Sequence, residues 1–313
     1  MSFNYHDFSA ARDDLHADVL AGLARTPKSI PPKYFYDAAG CRLFEAICAQ
    51  PEYALCRSEQ ALMAQCLPAI AAAVGDVACI VEPGAGDCVK VRALLDALQL
   101  RQLVVIDIAG APLAAAAAPL AHAYPDLDIV ALGMDFLGAL DAAEPHLAPG
   151  RRLVYYPGSS IGNFAPLDAV ALLARFRQLA GADGLLLIGF DLKKDPAALH
   201  RAYNDAAGIT AAFNLNLLTR LNRELDADFD LARFSHYAFY NPVEGRVEMH
   251  LVSLAEQSVA VDGQRIHFAL GETLHTENSY KFRCDEFIAL AASAGWRRQG
   301  EWMWNGFAVQ LYG

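Results

Sequence analysis

Residues 79–92 read Cys79-Ile-Val-Glu-Pro-Gly-Ala-Gly-Asp-Cys-Val-Lys-Val-Arg92: a short apolar run, an acid, a glycine turn, then the start of a helix. Gly84 and Gly86 allow close approach to a ligand and backbone conformations barred to other residues. The pattern lacks the third glycine of the dinucleotide fingerprint and the Gly-Lys-Ser/Thr ending of a phosphate loop. Glu82 would also repel a pyrophosphate, and suits a cationic aminoacyl group instead.

Outward from this turn, apolar runs recur at intervals suited to a βαβ series: Ala78–Val81, Leu103–Ile106, Leu153–Tyr156 and Leu185–Phe190, with Asp128–Leu132 a weaker fifth. Being apolar throughout instead of alternating, they read as buried parallel strands. Helical segments at Lys90–Leu98, Ala111–Ala123 and Pro166–Leu179 fill the gaps. The alternation predicts a doubly wound, Rossmann-like α/β sheet.

Two more acids follow strands. Asp107 ends Val104-Val-Ile-Asp107, where a carboxylate can accept both ribose hydroxyls of a nucleoside. Asp135-Phe136 follows the next run and offers a hydrogen-bonding acid with an aromatic face for a purine. S-adenosylmethionine is the ligand that fits all three, with S-adenosylhomocysteine as product.

The flanks differ from the core. Residues 1–60 read as mixed helix and loop, and a helical stretch runs from Asp195-Pro196 to about Leu225. Alternating strands such as Arg246–Leu251 come next, and Trp296–Leu311 reads as two strands around Asn305-Gly306 that close the sheet edge. The expected division is a cofactor-binding domain from 61–195 plus 281–313, and a discontinuous substrate-binding lobe from 1–60 plus 196–280.

Composition narrows the function. The net charge of −11 disfavours a nucleic-acid partner, which requires a basic face. No stretch approaches the roughly 20 apolar residues of a membrane span, and the acidic N-terminal segment is unlike a secretory signal. A cytoplasmic protein is expected. The seven cysteines form no CxxC pair and the nine histidines no HExxH spacing, so neither a disulfide framework nor a metal is expected.

Pro32-Lys-Tyr-Phe-Tyr-Asp37, Leu43-Phe44 and Pro51-Glu-Tyr53 resemble the N-terminal signature of the histidine Nα-methyltransferases of ergothioneine biosynthesis. The likeness continues through the glycine turn, Gly158-Ser-Ser-Ile-Gly-Asn163, Ala202-Tyr-Asn-Asp-Ala-Ala-Gly208, Asn222-Arg-Glu-Leu225, Val247-Glu-Met249 and Thr276-Glu-Asn-Ser279. It implies a class I methyltransferase fold and three successive methyl transfers to the α-amine of L-histidine, giving hercynine. It further implies that Tyr36, Glu82, Gly84, Gly86, Lys90, Asp107, Asp135, Phe136 and Gly158 hold the cofactor. Tyr53, Asn163 and Tyr203 contact the amine and carboxylate of histidine, Asn163 and Tyr203 being the catalytic candidates. Glu277 and Ser279 hold the imidazole, with Met249 and Asn278 beside them. The sequence departs from the family at Pro83, where many members carry leucine, and at Asn278, where some carry an aliphatic residue.

The residues themselves leave alternatives open: a methyltransferase for another amino acid or amine, or a cofactor-binding protein without catalysis. A pocket for a purely apolar side chain would have no use for the acid at 277, which favours histidine. The expected partner is this small molecule alone, and the expected state a monomer.

Overall fold

The computed structural model describes residues 2–8 and 15–313. In chain order its strands are β1 (Ser2–Asp7), β2 (Lys28–Ser29), β3 (Cys79–Pro83), β4 (Gln102–Asp107), β5 (Asp128–Gly133), β6 (Arg152–Tyr156) and β7 (Leu185–Asp191). They continue as β8 (Phe234–Asn241), β9 (Arg246–Ser253), β10 (Gln257–Val261), β11 (Gln264–Phe268), β12 (Thr273–Tyr280), β13 (Arg298–Trp304) and β14 (Phe307–Tyr312). The chain divides into two compact units. One comprises the described part of Met1–Asp13 with Arg57–Leu192 and Phe282–Gly313; the other comprises Asp14–Cys56 and Lys193–Lys281.

The first unit is an eight-stranded sheet in the order β1-β5-β4-β3-β6-β7-β14-β13. It is the Rossmann-like class I architecture, parallel from β1 to β7, with β14 and β13 antiparallel. The five residues of β3 and the seven of β7 are buried throughout, so their largely apolar sequences serve two covered faces, the acids Glu82 and Asp191 falling toward the carboxyl ends. Strand order reverses at β3, which lies between β4 and β6, and in such sheets ligands bind beyond the carboxyl ends at this switch point. The closing hairpin turns at Asn305 and Gly306, both at positive φ, which matches the right-handed twist of the strands. Trp296, just before it, is buried and donates its indole N–H to the Leu173 carbonyl at 2.9 Å.

β1 departs from the sequence reading, which placed residues 1–60 in the second lobe. It pairs parallel with β5 over six residues and lengthens the sheet at its edge. Ser-Phe-Asn-Tyr-His-Asp alternates polar and aromatic residues, a pattern unlike the wholly apolar interior strands. The expected helix at 90–98 is also shorter, Arg92–Ala97, leaving Lys90 in the preceding loop.

The second unit holds a four-stranded sheet in the order β2-β12-β9-β8 and the hairpin β10-β11. The helical stretch expected from 196 onward is two helices, Pro196–Tyr203 and Ile209–Glu224. Gly208, at φ 71°, breaks the run, and the Asp205 carboxylate accepts from the Ile209 and Thr210 amides at 2.8 and 2.7 Å to start the second helix. Against the sheet this helix buries Phe213, Leu217, Leu218 and Leu221, spaced as one helical face. Among the described residues no helix is long and apolar enough to cross a membrane.

Candidate functional site

In the first unit the proposed cofactor residues meet at the carboxyl ends of the parallel strands. Gly84 and Gly86 stand at φ 69° and 54°, a region that costs other residues roughly 1–2 kcal/mol. The Gly84 and Ala85 amides bond the Ile106 carbonyl at 2.7 and 3.1 Å, fastening the turn to the end of β4. A side chain on Gly84 would stand 3.7 Å from Phe136 and 4.0 Å from Tyr156, whose rings meet edge-on. Asp107 is held by two amides, Gly86 to Oδ2 at 3.0 Å and Ala109 to Oδ1 at 2.9 Å. Each carboxylate oxygen keeps lone-pair capacity for a ligand hydroxyl. Burial nevertheless moves the Asp107 carboxyl above its ordinary range, although its amide bonds oppose this. Asp135 caps the short helix Phe136–Ala139, accepting from the Leu137 amide at 2.8 Å, and so sets where Phe136 begins.

Glu82 gives the strongest indication of a cationic ligand. It is 1% exposed, and its Oε2 is buried without a hydrogen-bond partner. Desolvation pushes its carboxyl well up, with Lys90 pulling down and Asp87, Glu59 and Asp107 adding to the rise. A buried acid of this kind is costly unless something positive or donating meets it. The cationic amine of an aminoacyl group fits that need.

Glu59 completes this region and was not found from the sequence. Its buried carboxylate accepts from Lys90 Nζ at 2.8 Å and from the Gly158 amide at 2.7 Å. Lys90 therefore acts through Glu59 on the Gly158 turn. Gly158 stands at φ 80°, the left-handed region that favours glycine, and a Cβ there would fall 2.7 Å from Lys90 Nζ. Nothing around a lone glutamate in a helix announces such a role. Asn163 ends the turn Ser160–Asn163 after β6, at the same edge of the sheet.

In the second unit Tyr36, Tyr53, Tyr203, Met249, Glu277 and Ser279 are grouped. Met249 lies directly across from Glu277 in the β9–β12 pair. Tyr203 donates to Ser279 Oγ at 2.8 Å and meets Tyr53 edge-on at 5.9 Å. Tyr36, proposed for the cofactor, lies in this group: its ring packs against Phe44 and Phe213, and the Glu277 charge adds to the rise of its phenol. Burial pushes the Tyr36 and Tyr53 phenols well above their ordinary value and the Tyr203 phenol up as well. Desolvation brings the Glu277 carboxyl up to about 7, with Lys281 opposing.

Asn278 is not brought into this group. Strand residues alternate faces, and Asn278 pairs with Glu248 on the side opposite Glu277 and Ser279, with its side chain directed to His275. Lys281 was missed, although 277, 279 and 281 share a period of two. It is 2% exposed, and its Nζ donates to Tyr203 Oη at 3.0 Å and Ser279 Oγ at 2.9 Å.

On the other side of that sheet, Glu248, His250 and His275 place ligand atoms within 4.8 Å of one another. Arg246 and Asn241 already donate to Glu248 at 2.9 and 3.0 Å. The two imidazoles stack at 4.6 Å and 17°, so their in-plane lone pairs run side by side instead of converging. The second Glu248 oxygen meets His250 Nε2 at 3.1 Å, so the carboxylate is shared by a guanidinium, an amide and an imidazole.

The family described as histidine-specific methyltransferase, SAM-dependent, matches residues 15–312. A histidine N-alpha-methyltransferase of Mycolicibacterium smegmatis is 43% identical over 306 residues, 96% of this chain and 94% of that protein. One from Mycobacterium tuberculosis is 40% identical over 299 residues, 92% of this chain and 90% of its own length. Ergothioneine biosynthesis protein 1 of Neurospora crassa is 28% identical over 300 residues, covering 91% of this chain and 33% of that protein.

Proposed function

The chain belongs to the histidine-specific, S-adenosylmethionine-dependent methyltransferases, and from that premise we propose that it transfers three methyl groups in succession to the α-amine of L-histidine, giving hercynine for ergothioneine biosynthesis. The observation that carries the substrate is the pairing of Glu277 with Ser279 on one strand face across from Met249. A carboxyl and a hydroxyl two residues apart suit the two nitrogens of an imidazole, and the thioether supplies an apolar wall. A site built to hydrogen-bond a ring nitrogen rejects a phenyl ring, because its polar groups would be left unpaired.

Glu82 would take the cofactor's ammonium, Asp107 its ribose hydroxyls, and Asp135 with Phe136 its adenine, the glycine turn and Gly158 leaving room for the chain. When bound, the cofactor supplies a methyl group activated on a sulfonium, which departs as a neutral thioether. The protein's own task is then to align a neutral amine, and alignment can supply roughly 7–11 kcal/mol in the best cases. Asn163 and Tyr203 would hold the amine and carboxylate of histidine. The phenols, raised by burial, keep their protons at neutral pH, so the ammonium proton leaves to water; the Tyr203 proton goes to Ser279, and Tyr203 would meet the amine as an acceptor. Tyr36, Tyr53 and Phe213 can face the growing ammonium with aromatic surface, worth about 0.5–2 kcal/mol per contact.

The test is a panel of amino acids incubated with enzyme and S-adenosylmethionine, following S-adenosylhomocysteine release. Histidine should be consumed and phenylalanine, tryptophan and simple amines left untouched. Release with another amino acid and none with histidine would replace the substrate.

A further inference from the structure

Lys281 has not been used in the proposed reaction, yet it is a buried charge at the centre of the second unit's polar cluster. A lysine ammonium has three donors and no acceptor. It donates to both Tyr203 Oη and Ser279 Oγ, and those hydroxyls are joined to each other at 2.8 Å. Each hydroxyl has one proton; each already accepts from Lys281; one proton is spent on the bond between them. The remaining proton has to be given outward. With Tyr203 donating to Ser279, both Ser279 lone pairs are filled, and Ser279 can only donate.

We propose that Lys281 is a positioning residue that makes Ser279 a donor to the substrate ring, so that the site takes imidazole in its neutral form with an unprotonated nitrogen facing Ser279. This rests on Glu277 and Ser279 holding the ring as proposed above. The other nitrogen then carries the ring's single N–H and gives it to Glu277. Charge points the same way. Lys281 already buries one positive charge in the cluster, and an imidazolium would set a second beside it, which is costly. An imidazolium would also set an N–H against the Ser279 proton.

Other groups reach this cluster from neighbouring elements. They are the Tyr36 and Tyr53 phenols, the thiols of Cys41, Cys48 and Cys56, and His236, whose Nε2 contacts the Tyr203 carbonyl at 2.9 Å. All are shared by wild type and any Lys281 variant, so a difference between the two reports on Lys281.

The experiment is nitrogen NMR of histidine labelled with 15N in its ring, bound to the full chain with S-adenosylhomocysteine at pH 6. Free histidine, with a ring pKa of about 6.5, is mostly imidazolium there. Bound to wild type it should show one protonated and one bare nitrogen, a single tautomer. Lys281→Arg, which keeps a donor-only cation, should give the same spectrum. Lys281→Met and Lys281→Leu remove both donors and free the hydroxyl pair to accept, and the bound ring should turn to imidazolium or to a mixture of tautomers. Leu, shorter and branched, covers the case in which Met prevents folding. A doubly protonated ring in wild type, or an unchanged single tautomer in the neutral variants, overturns the role of Lys281. Histidine that does not bind, or ring signals unmoved by Glu277→Gln and Ser279→Ala, overturns the underlying substrate reading instead.

Discussion

At the scale of single residues, two buried carboxyls each trade stability for binding. Glu277 titrates near 7 against an ordinary 4.5, so its protonated form is the one the fold prefers. The stability it contributes is full below pH 4.5 and is lost as pH rises to about 7, up to roughly 3 kcal/mol at about 1.36 kcal/mol per pH unit. Glu277→Gln should therefore gain on wild type in thermal melts as pH goes from 5 to 8. A gap that stays constant would remove this reading of the group. The same variant should bind histidine about ten- to a hundredfold more weakly by calorimetry, the effect of one lost charge-assisted hydrogen bond. Glu82, with its unpartnered Oε2, predicts the same trade toward the other ligand. Glu82→Gln should raise the melting temperature of the ligand-free protein and weaken S-adenosylhomocysteine by at least tenfold. Equal affinity in the two proteins would mean that Glu82 does not meet the ligand's cation.

At the scale of elements, the glycine turn after β3 is where backbone conformation becomes binding. Gly84 sits at φ 69° with its open side toward Phe136 and Tyr156. Gly84→Ala should lower stability by roughly 1–2 kcal/mol and lose S-adenosylhomocysteine affinity by more than tenfold in the same calorimetric titration, since the methyl enters the space left for the ligand. A loss of stability with affinity intact would make the turn structural only. The interior strands were legible in the sequence because burial on both faces leaves their middles apolar, and Asn305-Gly306 was legible because its turn demands positive φ. β1 was not, since an edge strand needs no apolar run. The split at Asp205–Gly208 lay inside a helical pattern and needed the cap geometry to show it. The acids after β3, β4 and β5 could be read from position alone. Glu59 and Lys281 act through partners 99 and 78 residues away, and single-residue patterns carry no such pairing. Asn278 shows the reverse error, in which adjacency to two candidates outweighed the alternation of a strand.

At the scale of the whole molecule, the larger segment of the second unit, Lys193–Lys281, is an insertion that the sheet tolerates because its ends meet. The Phe282 amide bonds the Asp191 carbonyl at 3.1 Å, and Leu192 and Phe282 form a parallel bridge, so the chain leaves and returns at one place. The residues proposed for the cofactor lie mainly in the sheet unit, and those proposed for the amino acid mainly in the insertion. On that proposal the electrophile falls to the sheet unit and the specificity mainly to the inserted segment. The central claim is successive methylation of one nitrogen of histidine. Its most direct test is tandem mass spectrometry of histidine over a time course with enzyme and excess S-adenosylmethionine. The account predicts mass increments of one, two and finally three methylene units, all on the α-amine. A product that stops at one methyl, or that carries methyl on the ring, would contradict it.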